Sequence, residues 1–239
     1  MIISHEHEFI FVKTRKTAGS SMEIALSKYL GDKDVITPCM PVEEETVRRD
    51  LGFRGAQNFG LPLKNWKFRD YLDYATGHQP KRFSAHASAQ RISNHLEPEK
   101  FRRYRKILTV RNPYTYVVSL YNWHARKLGP SIEGFQSWLT HGQGDLRFSN
   151  YAMGKVDGKF EMDLVLQFET IVDGARNIAS QLGLPNDFAK VFESITVKSS
   201  YEYPPLTLAQ AYESVPQARS LVESRFHEEI RRFNYEFPL

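Results

Sequence analysis

Residues 9–30 read FIFVKTRKTAGSSMEIALSKYL, an apolar run, a short polar loop and then apolar residues at helical spacing. Phe9, Ile10, Phe11 and Val12 are the β-branched and aromatic types that favour a buried strand, and Lys13 and Thr14 end it. Ser20 followed by Glu23 makes a capping-box pattern. Met22, Ala25, Leu26, Tyr29 and Leu30 then recur as on one helix face, with Gly31 as a stop. The first amides of such a helix lack intrahelical partners and carry the positive end of its dipole. The loop therefore suits a phosphate or sulfate, with Lys16, Thr17, Ser20 and Ser21 as side-chain donors. Taken alone, the same pattern also describes an ordinary strand-to-helix turn with a solvated lysine.

The chain around this unit has 239 residues, 41% of them hydrophobic, enough for a full core and most simply one domain over 1–239. Its 32 Lys+Arg against 28 Asp+Glu give a net charge of +4. That balance favours anionic ligands but is too mild for a nucleic-acid-coating protein. The single cysteine, Cys39, excludes an internal disulfide and a cysteine-based zinc cluster. The opening MIISHEHEF has no basic stretch leading into an apolar one. No window approaches the roughly 20 apolar residues of a membrane span. These features lead to the expectation of a soluble, cytoplasmic protein.

Strand-like and helical segments alternate along the chain, which predicts an α/β fold with a central, mainly parallel sheet flanked by helices. Residues 32–82 are irregular and rich in Pro, Gly, aromatics and charge, and read as an elaborated crossover. Order resumes over Ser84 to Leu96, with Ala87, Ile92 and Leu96 as core contacts. A short basic helix is expected over Pro98 to Tyr104, a strand over Ile107 to Val110, a strand over Leu164 to Phe168 and a helix over Thr170 to Leu182. Val222, Phe226, Ile230 and Phe233 predict one final helix.

A second chemical feature lies at residues 106–127, KILTVRNPYTYVVSLYNWHARK. Asn112 and Pro113 fit the cap and first turn of a helix. Arg111 then sits at the carboxyl end of a strand, facing the crevice where open α/β sheets bind ligands. Tyr116 and Ser119, three apart, are expected on one helix face. Arg111 and Ser119 can grip one phosphate, the first by a forked cation and the second by a hydroxyl.

These two segments together resemble the sulfotransferases that use 3′-phosphoadenosine 5′-phosphosulfate (PAPS), in the branch that holds carbohydrate O-sulfotransferases and many bacterial relatives. Arg15 through Ser21, by number Arg15, Lys16, Thr17, Ala18, Gly19, Ser20 and Ser21, resembles the 5′-phosphosulfate loop. Arg111-Asn112-Pro113 with Ser119 and Tyr121 resembles the 3′-phosphate motif. The likeness extends through His86-Ala87-Ser88-Ala89, Phe168-Glu169 and the ending Arg232 to Phe237. Two positions depart from the pattern: Arg15 stands where Pro is common, and Tyr116 where many members carry a basic residue.

The resemblance implies a P-loop-like three-layer fold and sulfuryl transfer from PAPS, as cosubstrate and without metal, to an acceptor hydroxyl such as that of a glycan. Residues 32–82 and loops such as 141–160 would shape the acceptor pocket. Lys16 and the loop amides would stabilise charge on the departing 5′-phosphate oxygen. A base is needed for the acceptor proton, and His86 is the first choice, His78 its competitor, and Glu43, Glu44 or Glu45 a third option. Glu43 to Glu45 with Arg48 and Arg49 otherwise read as a solvated helix face. His5 and His7 alternate as on one strand face but lack a third metal ligand. Lys64, Trp66, Lys67, Phe68, Arg69, Lys81 and Arg82 can stack on a sugar or lie in a surface loop. Two alternatives remain, a P-loop kinase-like phosphotransferase and a non-catalytic binder of an anionic nucleotide or glycan. The first is disfavoured because the chain lacks GxxxxGK[ST], Gly19 following Lys16 rather than preceding it.

Overall fold

The computed structural model describes residues 1–77, 80–141, 149–195, 197 and 202–238. In chain order the elements are β1 (Ile2–Ser4), β2 (Phe9–Val12), α1 (Gly19–Ser27), β3 (Val35–Ile36), α2 (Val42–Asp50), α3 (Phe68–Ala75), α4 (Ala89–Ser93), α5 (Pro98–Arg103) and β4 (Arg105–Val110). There follow α6 (Pro113–Ala125), α7 (Ile132–His141), β5 (Lys155–Val156), β6 (Lys159–Phe160), β7 (Leu164–Gln167), α8 (Ile171–Gln181), α9 (Phe188–Ser194), α10 (Leu208–Glu213), α11 (Ala218–Arg225) and α12 (His227–Phe233).

Five strands make the central sheet in the order β3-β1-β2-β4-β7. β4 lies parallel to β2, with Phe9 opposite Arg105 and Val12 opposite Leu108, and β7 lies parallel to β4. β1 runs against both of its neighbours, so the other four strands share one direction. This is the expected mainly parallel sheet, with a short hairpin, β5 and β6, outside it.

The period of two along β2 sends its side chains into different layers. Phe9 and Phe11 join Ile107, Met22, Ile24, Ala25, Ile178 and Phe188 beneath α1, α8 and α9. Ile10 and Val12 join Leu108, Val110, Phe83, Ala87, Ile92 and Leu96 on the opposite side. Covering both faces is what a parallel sheet requires, and it explains the continuous apolar runs of β2 and β4. A separate cluster packs α6 against α7, α10 and α11 through Tyr116, Val117, Leu120, Phe135, Val222 and Phe226.

Three sequence expectations change. Residues 32–82 hold β3, α2 and α3, and β3 adds an edge to the sheet. The single final helix is two, because the backbone at Phe226 leaves helical geometry between α11 and α12. The capping box at Ser20 and Glu23 does not form. Ala18 is the cap residue, in left-handed conformation with no side-chain bond, and α1 ends at Ser27 rather than at Gly31.

Glu23 instead turns inward, fully buried, onto a cluster of cations. Its carboxylate lies 2.7 Å from the Met1 amino nitrogen, 2.8 Å from Lys13 Nζ and 3.6 Å from an Arg48 nitrogen, and it accepts from Thr37 Oγ1 at 3.0 Å. Burial alone would raise the Glu23 pKa, but the Met1, Lys13 and Arg48 charges outweigh it and hold the carboxyl at about 2. A carboxyl depressed in the folded state stabilises above its unfolded pKa and loses that contribution as pH falls toward the folded value. Glu23→Gln should therefore cost about 3–5 kcal/mol at neutral pH, as expected when one partner of a buried ionic cluster is removed. The wild type should lose stability between the ordinary carboxylate range and pH 2 more steeply than the variant does. Urea unfolding at pH 7 and pH 3 measures both effects, and equal pH slopes would contradict the assignment.

Candidate functional site

The parallel pairing of β2 with β4 brings the loop after β2 and the residues after β4 to the same edge of the sheet. Three threonine hydroxyls join them. Thr14 Oγ1 lies 2.8 Å from Thr17 Oγ1 and 2.9 Å from Thr109 Oγ1, and Thr17 Oγ1 lies 2.8 Å from Thr109 Oγ1. Thr14 Oγ1 also donates to the Thr109 carbonyl at 2.6 Å. The Thr17 hydroxyl, expected to face a ligand, is buried in this staple, so Thr17 offers the loop its backbone.

The loop backbone is unusual around the staple. Lys16 and Ala18 hold left-handed φ values of +57° and +58°, sparsely populated for residues with a Cβ and held in place by the surrounding structure. At Gly19 an added Cβ would lie 3.0 Å from Lys13 Cγ and 3.1 Å from the Thr14 carbonyl oxygen. Glycine is needed there because the helix starts directly over the strand that feeds it.

Arg111 ties the two motifs together. Its guanidinium donates to the Lys16 carbonyl at 3.0 Å and to Thr115 Oγ1 at 3.0 Å, and lies 4.2 Å from the centre of the Phe168 ring. Asn112 and Pro113 occupy the expected cap and first turn of α6, with Asn112 Oδ1 accepting from the Tyr114 amide. Glu169 Oε1 accepts from the Asn112 amide at 2.8 Å, and Asn112 Nδ2 donates to the Glu236 carbonyl at 2.8 Å. Phe168-Glu169 and the ending near Glu236 thus converge on the Arg111-Asn112-Pro113 turn.

Ser119 stands half-buried on α6. Tyr116 does not share its face: it is 1% exposed and meets the Phe226 ring edge-on at 6.0 Å. Tyr116, one of the two departures from the resembled pattern, is here part of the core between α6 and α11.

Lys16 is half-buried, and its pKa is lowered to about 8 by burial first and by the neighbouring Arg111 charge, with Arg126 adding to the effect and Glu44 opposing it. His86 lies beside the same loop, its Nδ1 3.0 Å from the Lys13 carbonyl oxygen. A carbonyl only accepts, so Nδ1 carries the hydrogen and Nε2 the lone pair. Burial lowers the His86 pKa to about 4, leaving the ring neutral at pH 7. His78 lies outside the described residues. Arg15, Ala18 and Ser21 are half-buried around the loop.

The solvated-face reading of α2 holds for Glu43 and Arg49, which are exposed, but not for the rest. Arg48 is fully buried in the Glu23 cluster, and Glu45 accepts from the Cys39 amide at 2.8 Å while pairing with Arg48 at 3.2 Å. Glu44 receives the Ser20 hydroxyl and comes within 3.9 Å of Lys13 Nζ. It is a neighbour of the loop that charge counting along the sequence hides. Thr109 was also missed, although a polar residue inside the apolar run ILTV is a readable signal. His5 Nδ1 instead meets the Tyr104 hydroxyl at 2.8 Å, and His7 Nε2 lies 3.1 Å from the Tyr29 carbonyl oxygen. Among the described residues no group of three or more His, Cys, Asp and Glu is placed to hold a metal ion. Trp66 forms a local aromatic group with Tyr71 and Tyr74 and donates to the Leu61 carbonyl. Among the described residues, no helix is long and apolar enough to cross a membrane.

Comparison with known proteins agrees with this geometry. Neither a curated relative nor a solved structure matches the chain. The family model described as "Sulfotransferase family" matches residues 1–236. Nearly the whole length, including both loops that meet at the carboxyl edge of the sheet, is therefore covered, and the chain belongs to the sulfotransferase family.

Proposed function

We propose that the protein moves a sulfuryl group from PAPS to an acceptor hydroxyl, such as that of a glycan, by in-line displacement. The observation that carries this reading is Arg111, which bonds the Lys16 carbonyl while heading the α6 face that bears Ser119. One cationic groove thereby joins a loop suited to a phosphosulfate and a pair suited to a 3′-phosphate. Lys16, Arg111 and Arg126 collect there, burial first and then the Arg111 and Arg126 charges lowering the Lys16 pKa against the opposing Glu44, and three such cations are the donor set an anionic nucleotide needs.

Lys16 and the amides of residues 17–21 would hold the 5′-phosphosulfate, and Arg111 with Ser119 the 3′-phosphate. PAPS supplies the sulfuryl group and a stable phosphate leaving group. As the acceptor oxygen bonds to sulfur and the sulfur–oxygen bond to the 5′-phosphate breaks, Lys16 and the amides stabilise the negative charge left on that phosphate oxygen. His86 Nε2 takes the acceptor proton, for which its neutral tautomer is already set by Lys13. The products are a sulfate ester and 3′-phosphoadenosine 5′-phosphate (PAP). Glu44 is the alternative proton acceptor, because Ser20 brings its carboxylate to the loop and burial raises its pKa. A single domain and a cytoplasmic setting accord with this reading, the one cysteine being buried as a free thiol.

PAP should raise the unfolding temperature, as any ligand selective for the folded state does, and no shift at saturating PAP would remove the donor assignment. Because Lys16 in the unliganded protein titrates at about pH 8 and a bound anion restores its proton, PAP binding at pH 8.5 should take up protons. Calorimetry in two buffers of different ionisation enthalpy measures the uptake, which should vanish in Lys16→Ala. His86→Ala should lower transfer by about 10²-fold or more while still binding PAP. In the wild type the acid limb of transfer should lie near pH 4 rather than at the usual histidine value. A wild-type rate in His86→Ala together with a large loss in Glu44→Gln would transfer the base role to Glu44.

A further inference from the structure

The exposure pattern of α6 and the residues flanking it is the starting observation. From Arg111 to Trp123 only Arg111, Thr115, Ser119 and Trp123 are half-exposed, and every residue between them is buried. Spacing by four keeps these side chains on one helical stripe, and that stripe begins with Arg111 and includes Ser119. Arg126 follows at the end of the helix, seven positions beyond Ser119 and so two turns further along the same stripe.

Arg126 is held in place without being neutralised. Its guanidinium carbon lies 4.4 Å from the centre of the Trp123 ring, and it donates to the Trp123 carbonyl at 2.6 Å. Among the described residues its polar partner is that carbonyl, with no carboxylate paired to it. A flat guanidinium stacked on an indole keeps its remaining donors in a fixed fork, the geometry suited to phosphate, sulfate or carboxylate oxygens. Its charge reaches Lys16, so Lys16 lies within the fields of both Arg111 and Arg126. Glu44 opposes the effect of these two charges on Lys16, and a bound anion would oppose it further. The core position of Tyr116 adds to the argument, since the helix has no cation at that point of the pattern.

We propose that Arg126, braced by Trp123, is a further anion-binding residue of the groove, reading the oxygens of an acidic group beyond Ser119, either the donor's 3′-phosphate or an acid on the acceptor. The proposal rests on the PAPS reading given above. A purely structural role is the competing account, because a cation at a helix C-terminus also favours the helix dipole.

Titration of the wild type, Arg126→Gln and Arg126→Lys with PAP and with 5′-AMP separates these accounts. If Arg126 reads the 3′-phosphate, the preference for PAP over 5′-AMP falls by about tenfold in Arg126→Gln, the scale of one charge-assisted hydrogen bond. Arg126→Lys, which keeps the charge but not the fork, should recover part of it. If it reads an acceptor acid, that preference is unchanged, while glucuronate binds the PAP-saturated wild type better than glucose does and Arg126→Gln abolishes the difference. An Arg126→Gln protein that unfolds at a lower temperature but keeps both discriminations overturns the proposal in favour of helix capping. Wild-type protein that binds neither nucleotide would remove the donor reading itself, a different result from a wild type and variant that bind PAP alike.

Discussion

The parallel register of β2 against β4 is the constraint on which the candidate site depends. With Val12 opposite Leu108, the chain leaves both strands at the same level, so the Lys16 loop and Arg111 emerge side by side although 95 residues separate them. The threonine triangle of Thr14, Thr17 and Thr109 fixes that arrangement at short range. Its members are buried and saturate one another, so moving the loop would strand hydroxyls away from water, which is expensive in a packed interior. The two left-handed residues, Lys16 and Ala18, are tolerable for the same reason. The strain is local, and the staple, the Arg111 bond and the close seat of Gly19 all oppose its relief.

The structure divides neighbouring lysines into different electrostatic roles. Lys13 ends β2 and points into the interior, where Glu23 holds it at 2.8 Å. Lys16, three residues on, is half-buried, with its carbonyl bonded to Arg111 and its ammonium within the fields of Arg111 and Arg126. One cation is paired with a buried carboxylate behind the loop, while the other lies among the charges of Arg111, Glu44 and Arg126. The Glu23 cluster is thus the rear wall of the site as well as part of the fold. It also connects α1 to α2 through Arg48, and α2 in turn presents Glu44 to Ser20. A disturbance at Glu23 has a short physical route to the loop.

Much of this architecture was legible in the sequence because it is written in local periodicity. Phe9 to Val12, Ile107 to Val110 and Leu164 to Phe168 are mainly apolar runs, and Asn112-Pro113 marks a helix start by the chemistry of the cap itself. The failures share a cause, which is that distant partners overrode a local signal. Glu23 matched a capping box, yet Lys13, Arg48 and the Met1 amino group offered it stronger partners than one backbone amide. Arg48 and Glu45 sit in the charge-rich run EEETVRR, where nothing local distinguishes the buried Arg48 from the exposed Arg49. The helix break at Phe226 left the apolar spacing of Val222, Phe226 and Ile230 intact, so periodicity alone read one helix where there are two.

Tyr116 illustrates how a departure at one position is absorbed by its surroundings. A basic residue there would bring charge onto α6, but in this chain the side chain is enclosed between α6 and α11 against Phe226. An unpaired cation in that setting would be costly to desolvate, so the aromatic residue and the aromatic partner belong together. The open stripe of α6 carries a cation at each end, Arg111 at the start and Arg126 at the finish, with Thr115, Ser119 and Trp123 between them. In the proposed complex a phosphate at Ser119 would lie between a guanidinium stacked on Phe168 and one stacked on Trp123. Each guanidinium is braced by an aromatic face, which fixes the direction of the fork without consuming its N–H donors.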